Sequence, residues 1–343
     1  MAATPMTSRL QLKLSGKATD RPPVWLMRQA GRFHPNYRAI RANFNNFMDF
    51  CNNSQAASDA TMVPIDAYPE LDAAIIFSDI LTIPQALGMN VIFTAGDGPK
   101  ISGELNPRHW QNETINQLKP TYDAIRLTRK RLSNHKSLIG FCGAPWTLLA
   151  YMINGQNKNE FAQARAAAQA HTQEYQDQLH TITQHVIKHA QRQVEAGADT
   201  IMLFDSWAGL LSEEAFLQSV ITPLTHIAQT LRPIAGVIVF MRSSTQHLKH
   251  WHHVPANAFQ VDFSSHLMDI HKALPNHILQ GNLDPAVLLT NDHTIIEHTQ
   301  RIMQLPISNQ LIFNLGHGVL PNTRPEAIQT LLSTIEQYKV QYV

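Results

Sequence analysis

Arg28 and Arg32 stand four residues apart, with Gly31 between them, at the end of the apolar run V-W-L-M. In a helical turn, positions i and i+4 share a face. Two guanidinium groups so placed form a fork for planar anions, carboxylates above all. Read alone, Val24–Arg32 is equally a strand end whose arginines bridge to nearby acids. Other candidates follow later apolar runs: Ser78 and Asp79; Gly143, Pro145 and Trp146, with Tyr151 further on; Asp205, Ser206 and Trp207; Arg242; Asn282 and Asp284; Gly316, His317 and Gly318. Asp79 could cap a helix or pair with Arg28, and Asp205 and Asp284 read as structural caps. The glycines flanking His317 would let backbone approach a ligand closely. Two cations, one acid, a phenol and an imidazole at a single mouth suit a small polyanion.

A mouth of this kind requires elements whose ends converge. Eight short apolar runs supply them: Pro23–Met27, Ala73–Phe77, Leu138–Cys142, Thr200–Phe204, Gly236–Met241, Ala258–Phe263, His277–Gly281 and Gln310–Leu315. Most lack alternation, as strands buried on both faces do. Helical patterns lie between most of them. One runs from Glu174 to Ala196 with Gly197 as its C-cap, and another opens at Pro325. Strand and helix repeated to a count of eight predict an α/β fold, a (β/α)8 TIM-type barrel, as one domain over residues 1–343. Residues 1–20 are expected to be a flexible lead-in. Between the second and third strands, Val91–Phe93, the turn 96–99 and Ile101 predict an added hairpin, with a helix around Tyr122–Leu132.

Composition narrows the function. With 27 basic and 26 acidic residues, no overall field draws nucleic acid or an anionic membrane. Two cysteines, Cys51 and Cys142, suggest a reducing compartment, and no signal-like or membrane-length apolar stretch is present, so the expected location is the cytoplasm. His185 and His189 are one helical turn apart but lack an evident third ligand. The run His247, His250, His252 and His253 reads as a solvated helix end. No G-x-G-x-x-G follows a strand, which disfavours nucleotide cofactors.

Five motifs then carry a resemblance. P-V-W-L-M-R-Q-A-G-R at 23–32, A-A-I-I-F-S-D-I-L at 73–81, G-A-P-W-T-L at 143–148, Q-G-N-L-D-P at 280–285 and N-L-G-H-G at 314–318 resemble the uroporphyrinogen decarboxylase family in order and spacing. The resemblance implies a cofactor-free, metal-free barrel enzyme, usually a homodimer, removing CO2 from the four acetates of uroporphyrinogen III to give coproporphyrinogen III. It implies that Arg28, Gln29, Ala30, Gly31, Arg32, Arg41, Asp79, Tyr151, Ser206 and His317 contact the substrate, with the R-Q-A-G-R backbone lining the pocket. Asp79 would face the pyrrole N–H groups. Asp79, Tyr151, His317 and Arg28 are the candidates for the chemistry itself. The chain departs from the family pattern at 64–72, 153–158 and 241–244, outside that polar set.

The chemistry suits these residue types. Protonating a pyrrole carbon makes an iminium that accepts the electrons left by departing CO2, and a fixed carboxylate stabilises that cation where it forms. An arginine gripping the leaving carboxylate would stabilise the ground state instead, so Arg28 and Arg32 are expected to hold carboxylates that stay. Arginine is a poor proton donor, which makes His317 and Tyr151 the easier acids. Two rival readings are a methyltransferase on the same fold, which needs a His/Cys zinc site, and a non-catalytic tetrapyrrole binder.

Overall fold

The computed structural model describes residues 8–94, 98–105 and 112–338. Seven parallel strands form one curled sheet: β1 (Ala73–Ile75), β4 (Ser137–Gly143), β5 (Thr200–Asp205), β6 (Gly236–Met241), β7 (Ala258–Gln260), β8 (Ile278–Leu283) and β9 (Leu311–Leu315), in that order. Between them in sequence, β2 (Asn90–Thr94) and β3 (Gly98–Ser102) pair antiparallel as a separate hairpin. Residues 95–97 of its expected turn lie outside the described residues. The helix that follows runs Lys119–Arg131.

The first expected strand, Pro23–Met27, is not one. Its only pairing is a parallel bridge between Val24 and Phe313. The Pro23 carbonyl accepts from Phe313 N–H at 2.8 Å, and the Val24 carbonyl accepts from Asp72 N–H at 2.8 Å. The segment thus touches β9 on one side and the approach to β1 on the other. Two consecutive prolines, Pro22 and Pro23, have no N–H to extend a ladder. A left-handed Arg28 (φ 61°) then turns the chain away.

Side chains sort into two apolar layers. One cluster collects alternate residues from strand after strand: Ala73 and Ile75, Ile139, Met202, Ile238 and Phe240, Ala258, Ile278 and Ile312. Period-two selection puts all of these on one face, the concave one. The larger cluster packs the opposite face against the helices. Trp25 and Met27 join the concave cluster, and so do Leu10 and Leu14.

Those two leucines correct the expectation of a flexible segment over 1–20 as far as the described residues reach, residues 1–7 lying outside them. Residues 9–14 form a helix, Arg9–Leu14, capped by the Ser8 side chain, with Leu10 wholly buried and Leu14 5% exposed. The helix plugs the end of the sheet where the strands begin. Gly236 leaves room for it, because a Cβ there would sit 2.7 Å from Leu14 Cδ1. Ion pairs seal the plug: Arg21 meets Asp72 at 2.6 Å, and Arg9 meets both Asp20 and Asp72. The helical expectations were close elsewhere. The long pattern forms Gln173–Glu195, with Gly197 at φ 120° just beyond it, and the last helix runs Pro325–Glu336.

Candidate active site

At the carboxyl ends of the strands the chain assembles a mouth over an aromatic floor. Phe141 on β4, Phe204 on β5 and Phe240 on β6 touch in sequence, their ring centroids 5.5 and 6.3 Å apart. The His317 ring stands edge-on to Phe240 at 6.5 Å. Apolar walls of this kind deprive nearby charges of water.

Asp79 is a desolvated charge at this end of the sheet. It lies beyond β1, where its Oδ1 accepts from the Leu81 N–H at 2.8 Å, which fixes the carboxylate in an Asx-type turn. It does not cap the following helix, whose N-cap is Leu81. Burial pushes its pKa up to about 6, against the opposing pull of the Leu81 amide and of Arg28. The group therefore sits inside the charge field of Arg28 without a direct ion pair.

The Arg28 stem passes close over Gly318. A Cβ at Gly318 would collide with Arg28 Cδ and lie 2.7 Å from its Cγ, so the second glycine of G-H-G makes room for the arginine stem. Desolvation of its packed stem lowers the Arg28 pKa although the residue as a whole stays exposed at the rim; Asp79 opposes this, while Arg32 and Arg242 add to it. Among the described residues, no acceptor lies within hydrogen-bond or ion-pair reach of the Arg28, Arg32 or Arg242 guanidinium groups. This contrasts with Arg9 and Arg21 at the opposite end. There a cavity of about 400 Å³ is lined by cations together with Glu70, Asp72 and Glu336, and the arginines are already paired.

Tyr151 projects from the helix Pro145–Asn154 and is 7% exposed, its ring against Phe161 and Trp207. Burial raises its pKa, opposed by the Trp207 indole, so the phenol stays neutral. His317 Nδ1 accepts the Gly318 N–H at 2.6 Å, which leaves the ring proton to Nε2. Burial, then Arg28 and Arg242, push its pKa down to about 4. At neutral pH His317 is an uncharged hydrogen-bond donor. This corrects its place among the easy acids, since no imidazolium is present to give up a proton.

Two expected contacts are otherwise engaged. The Gln29 side chain is 2% exposed; its Oε1 accepts from Leu26 N–H at 3.0 Å and its Nε2 donates to the Ala73 carbonyl at 3.0 Å. It ties the first segment to β1 and cannot face a ligand, because a buried amide in this position has its polar groups already satisfied. Arg41, at the end of the helix Pro35–Arg41, donates back to the Phe44 carbonyl. The Ala30, Gly31 and Arg32 amides donate to no acceptor among the described residues, which leaves the turn's N–H groups available to an anion. Ser206 follows β5, half-buried. Its neighbour Asp205 is not the helix cap it was expected to be: wholly buried, it accepts from Thr147 Oγ1 at 2.6 Å through one oxygen, its other oxygen is buried without a partner among the described residues, and burial pushes its pKa up to about 7. Asp284 caps its turn through the Ala286 N–H at 2.8 Å.

The phenylalanine floor has no counterpart in the sequence reading, although Phe141, Phe204 and Phe240 stand near the ends of three successive apolar runs, Phe204 and Phe240 as register partners. Trp207 and Arg242 stood among the strand-end residues without a role. Arg242 now lies with its guanidinium 5.9 Å from the centre of the Trp207 ring. The zinc alternative finds no support in the donor set. Among the described residues no three His, Cys, Asp or Glu side chains converge, and the buried Cys51 and Cys142 thiols are both pushed well up by burial.

Comparison with known proteins agrees with the motifs. The model of the uroporphyrinogen decarboxylase family matches residues 6–338. A uroporphyrinogen decarboxylase of Rickettsia bellii is 37% identical over 328 residues, 93% of this chain and 96% of the relative. One from Orientia tsutsugamushi is 36% identical over 328 residues, 92% of this chain and 94% of the relative. A solved methyltransferase from Methanosarcina mazei superposes with TM-score 0.82 at 16% identity, covering 97% of this chain and 98% of that one, a likeness of fold alone. By sequence along nearly its whole length, and by the strand-end residues those motifs bring together, the chain belongs to the uroporphyrinogen decarboxylase family.

Proposed function

We propose that this chain removes CO2 from the acetate side chains of uroporphyrinogen to give coproporphyrinogen, a step of haem and tetrapyrrole biosynthesis, and does so without a cofactor. The observation that carries this reading is the charge arrangement at the mouth. The Arg28 guanidinium, without a protein partner among the described residues, acts on the desolvated Asp79 carboxylate, Arg32 and Arg242 act in turn on Arg28, and phenylalanine rings line the same end of the sheet. A polycarboxylate macrocycle answers both features, with its rim on the arginines and its nitrogens on Asp79. The same reading takes the fold as a complete eight-stranded barrel, the Val24 segment serving as the eighth stave, and the chain as a cytoplasmic homodimer.

The residues then divide the work. Arg28 and Arg32 hold carboxylates that remain, helped by the free amides of Ala30 and Gly31. Addition of a proton to a pyrrole carbon creates the iminium, and the electron pair of the breaking C–C bond flows into it as CO2 leaves. A second proton converts the resulting methylene to methyl, and loss of the first restores the ring. Asp79, ionised above a pH of about 6, faces the positive charge while it exists. The phenyl floor excludes water and strengthens that attraction. Tyr151, His317 through Nε2–H, and Ser206 orient the macrocycle as neutral groups.

Incubating the purified protein with uroporphyrinogen and resolving products by carboxylate count tests the proposal. Stepwise loss of carboxylates down to coproporphyrinogen is expected. Tight porphyrin binding with no CO2 released would instead make this a tetrapyrrole-binding protein and end the enzymatic reading.

A further inference from the structure

Arg242 carries an inference that the motifs do not. Its backbone is pinned on both sides: its N–H donates to the Asp205 carbonyl at 3.0 Å, and its carbonyl accepts from Gly209 N–H at 3.1 Å. The next residue, Ser243, is left-handed (φ 53°) and donates its N–H to Asp262 Oδ2 at 2.7 Å. Asp262 Oδ1 is held in turn by the hydroxyls of Ser264 and Ser265. A backbone so tied gives the side chain a fixed origin.

The guanidinium then lies over Trp207, 5.9 Å from the ring centroid, within reach of a cation–π attraction. It has no acceptor among the described residues, and it acts electrostatically on both Arg28 and His317. Counting round the sheet from the Val24 segment, β6 comes fourth, after β1, β4 and β5. Arg242 therefore reaches the mouth from the side opposite Arg28 and Arg32. Cations converging from opposite rims repel one another unless anions lie between them.

We propose that Arg242 is a third carboxylate-binding arginine, stacked on Trp207, that grips a propionate on the far rim of the macrocycle and sets how tightly substrate and product are held. This rests on the decarboxylase reading and adds to it a specificity-determining residue. Because the propionates persist from substrate to product, the grip is the same before and after reaction. It lowers KM without raising kcat.

The test is steady-state turnover of uroporphyrinogen together with inhibition by coproporphyrinogen, in wild type, Arg242→Gln and Arg242→Lys, with melting curves as a folding control. Arg242→Gln should raise KM and the product's inhibition constant in parallel, by about 10-fold or more, the scale of one charge-assisted hydrogen bond. The kcat should stay within about twofold. Arg242→Lys keeps the charge but loses the fork and the stack, so it should fall between. Trp207→Leu should raise both constants by less than Arg242→Gln, since the charge remains but is no longer oriented. An unchanged KM and inhibition constant in Arg242→Gln, or a fall in kcat alone, would overturn the assignment while leaving a working decarboxylase. A wild-type protein that releases no CO2 would overturn both.

Discussion

Replacing Asp79 with Asn should move stability and turnover in opposite directions. The carboxylate's pKa stands at about 6 against a usual 3.8, a difference of about two units, and each unit is worth about 1.4 kcal/mol. The half-buried side chain keeps some access to solvent, and screening brings the figure to about 1–3 kcal/mol. The sign follows from proton binding. Below the unfolded pKa both states are protonated and there is no difference. As pH rises from 3.8 to about 6 the folded state keeps a proton that the unfolded chain has lost, so folding stability declines over that window and the penalty is complete above it. Asn carries no charge and still offers an oxygen to the Leu81 amide, so the variant should melt a few degrees higher at pH 7.5. Its turnover should fall by about 10²–10³-fold, because the iminium loses its counter-charge. In the wild type, kcat/KM should decline on the acid side with an apparent pKa near 6, the value for the free enzyme. The assays are calorimetric melting across pH 4–8 and product resolution by carboxylate count. A variant with wild-type turnover, or one that melts lower, would show that Asp79 is not the desolvated charge at the centre of this site.

Three further perturbations test separate parts of the architecture. Gly318→Ala would drive a methyl into the Arg28 stem; KM for uroporphyrinogen should rise about 10-fold or more through displacement of one charge-assisted contact, and an unchanged KM would detach Arg28 from the substrate. His317→Gln keeps a neutral donor and should retain most activity, whereas His317→Leu should lose about 2–10-fold in kcat/KM, the scale of one neutral hydrogen bond; a rate limb at the pH of a free imidazole, abolished by either change, would contradict the neutral assignment. Leu10→Ala should destabilise the fold by about 2–5 kcal/mol in denaturant titrations, since the side chain is wholly buried in the concave core; a loss below about 0.5 kcal/mol would return this segment to the status of a loose lead-in.

Local chemistry made much of this protein legible in its sequence. Seven of the eight apolar runs became strands of one parallel sheet, because a strand buried on both faces leaves an unbroken apolar signature in the chain. The long helix over 173–195 and the one opening at Pro325 announced themselves through period and caps. Arg28, Asp79, Tyr151 and His317 could be read because each directly follows, or closely trails, an apolar run at the carboxyl end of the sheet. What remained depended on neighbours distant along the chain. Gln29 sits inside the motif most suggestive of binding, yet its amide is spent on Leu26 and Ala73, a partner 44 residues away. Leu10 and Leu14 look unremarkable until the curled sheet offers them a concave face to plug. The raised pKa of Asp79 is set by burial against the pull of Arg28, and the neutrality of His317 by burial reinforced by Arg28 and Arg242, quantities that no stretch of sequence contains. Spacing along the chain determined which groups reach the mouth. Only the packing of one strand end against another decided which of them keep their charge and which are left free to meet a ligand.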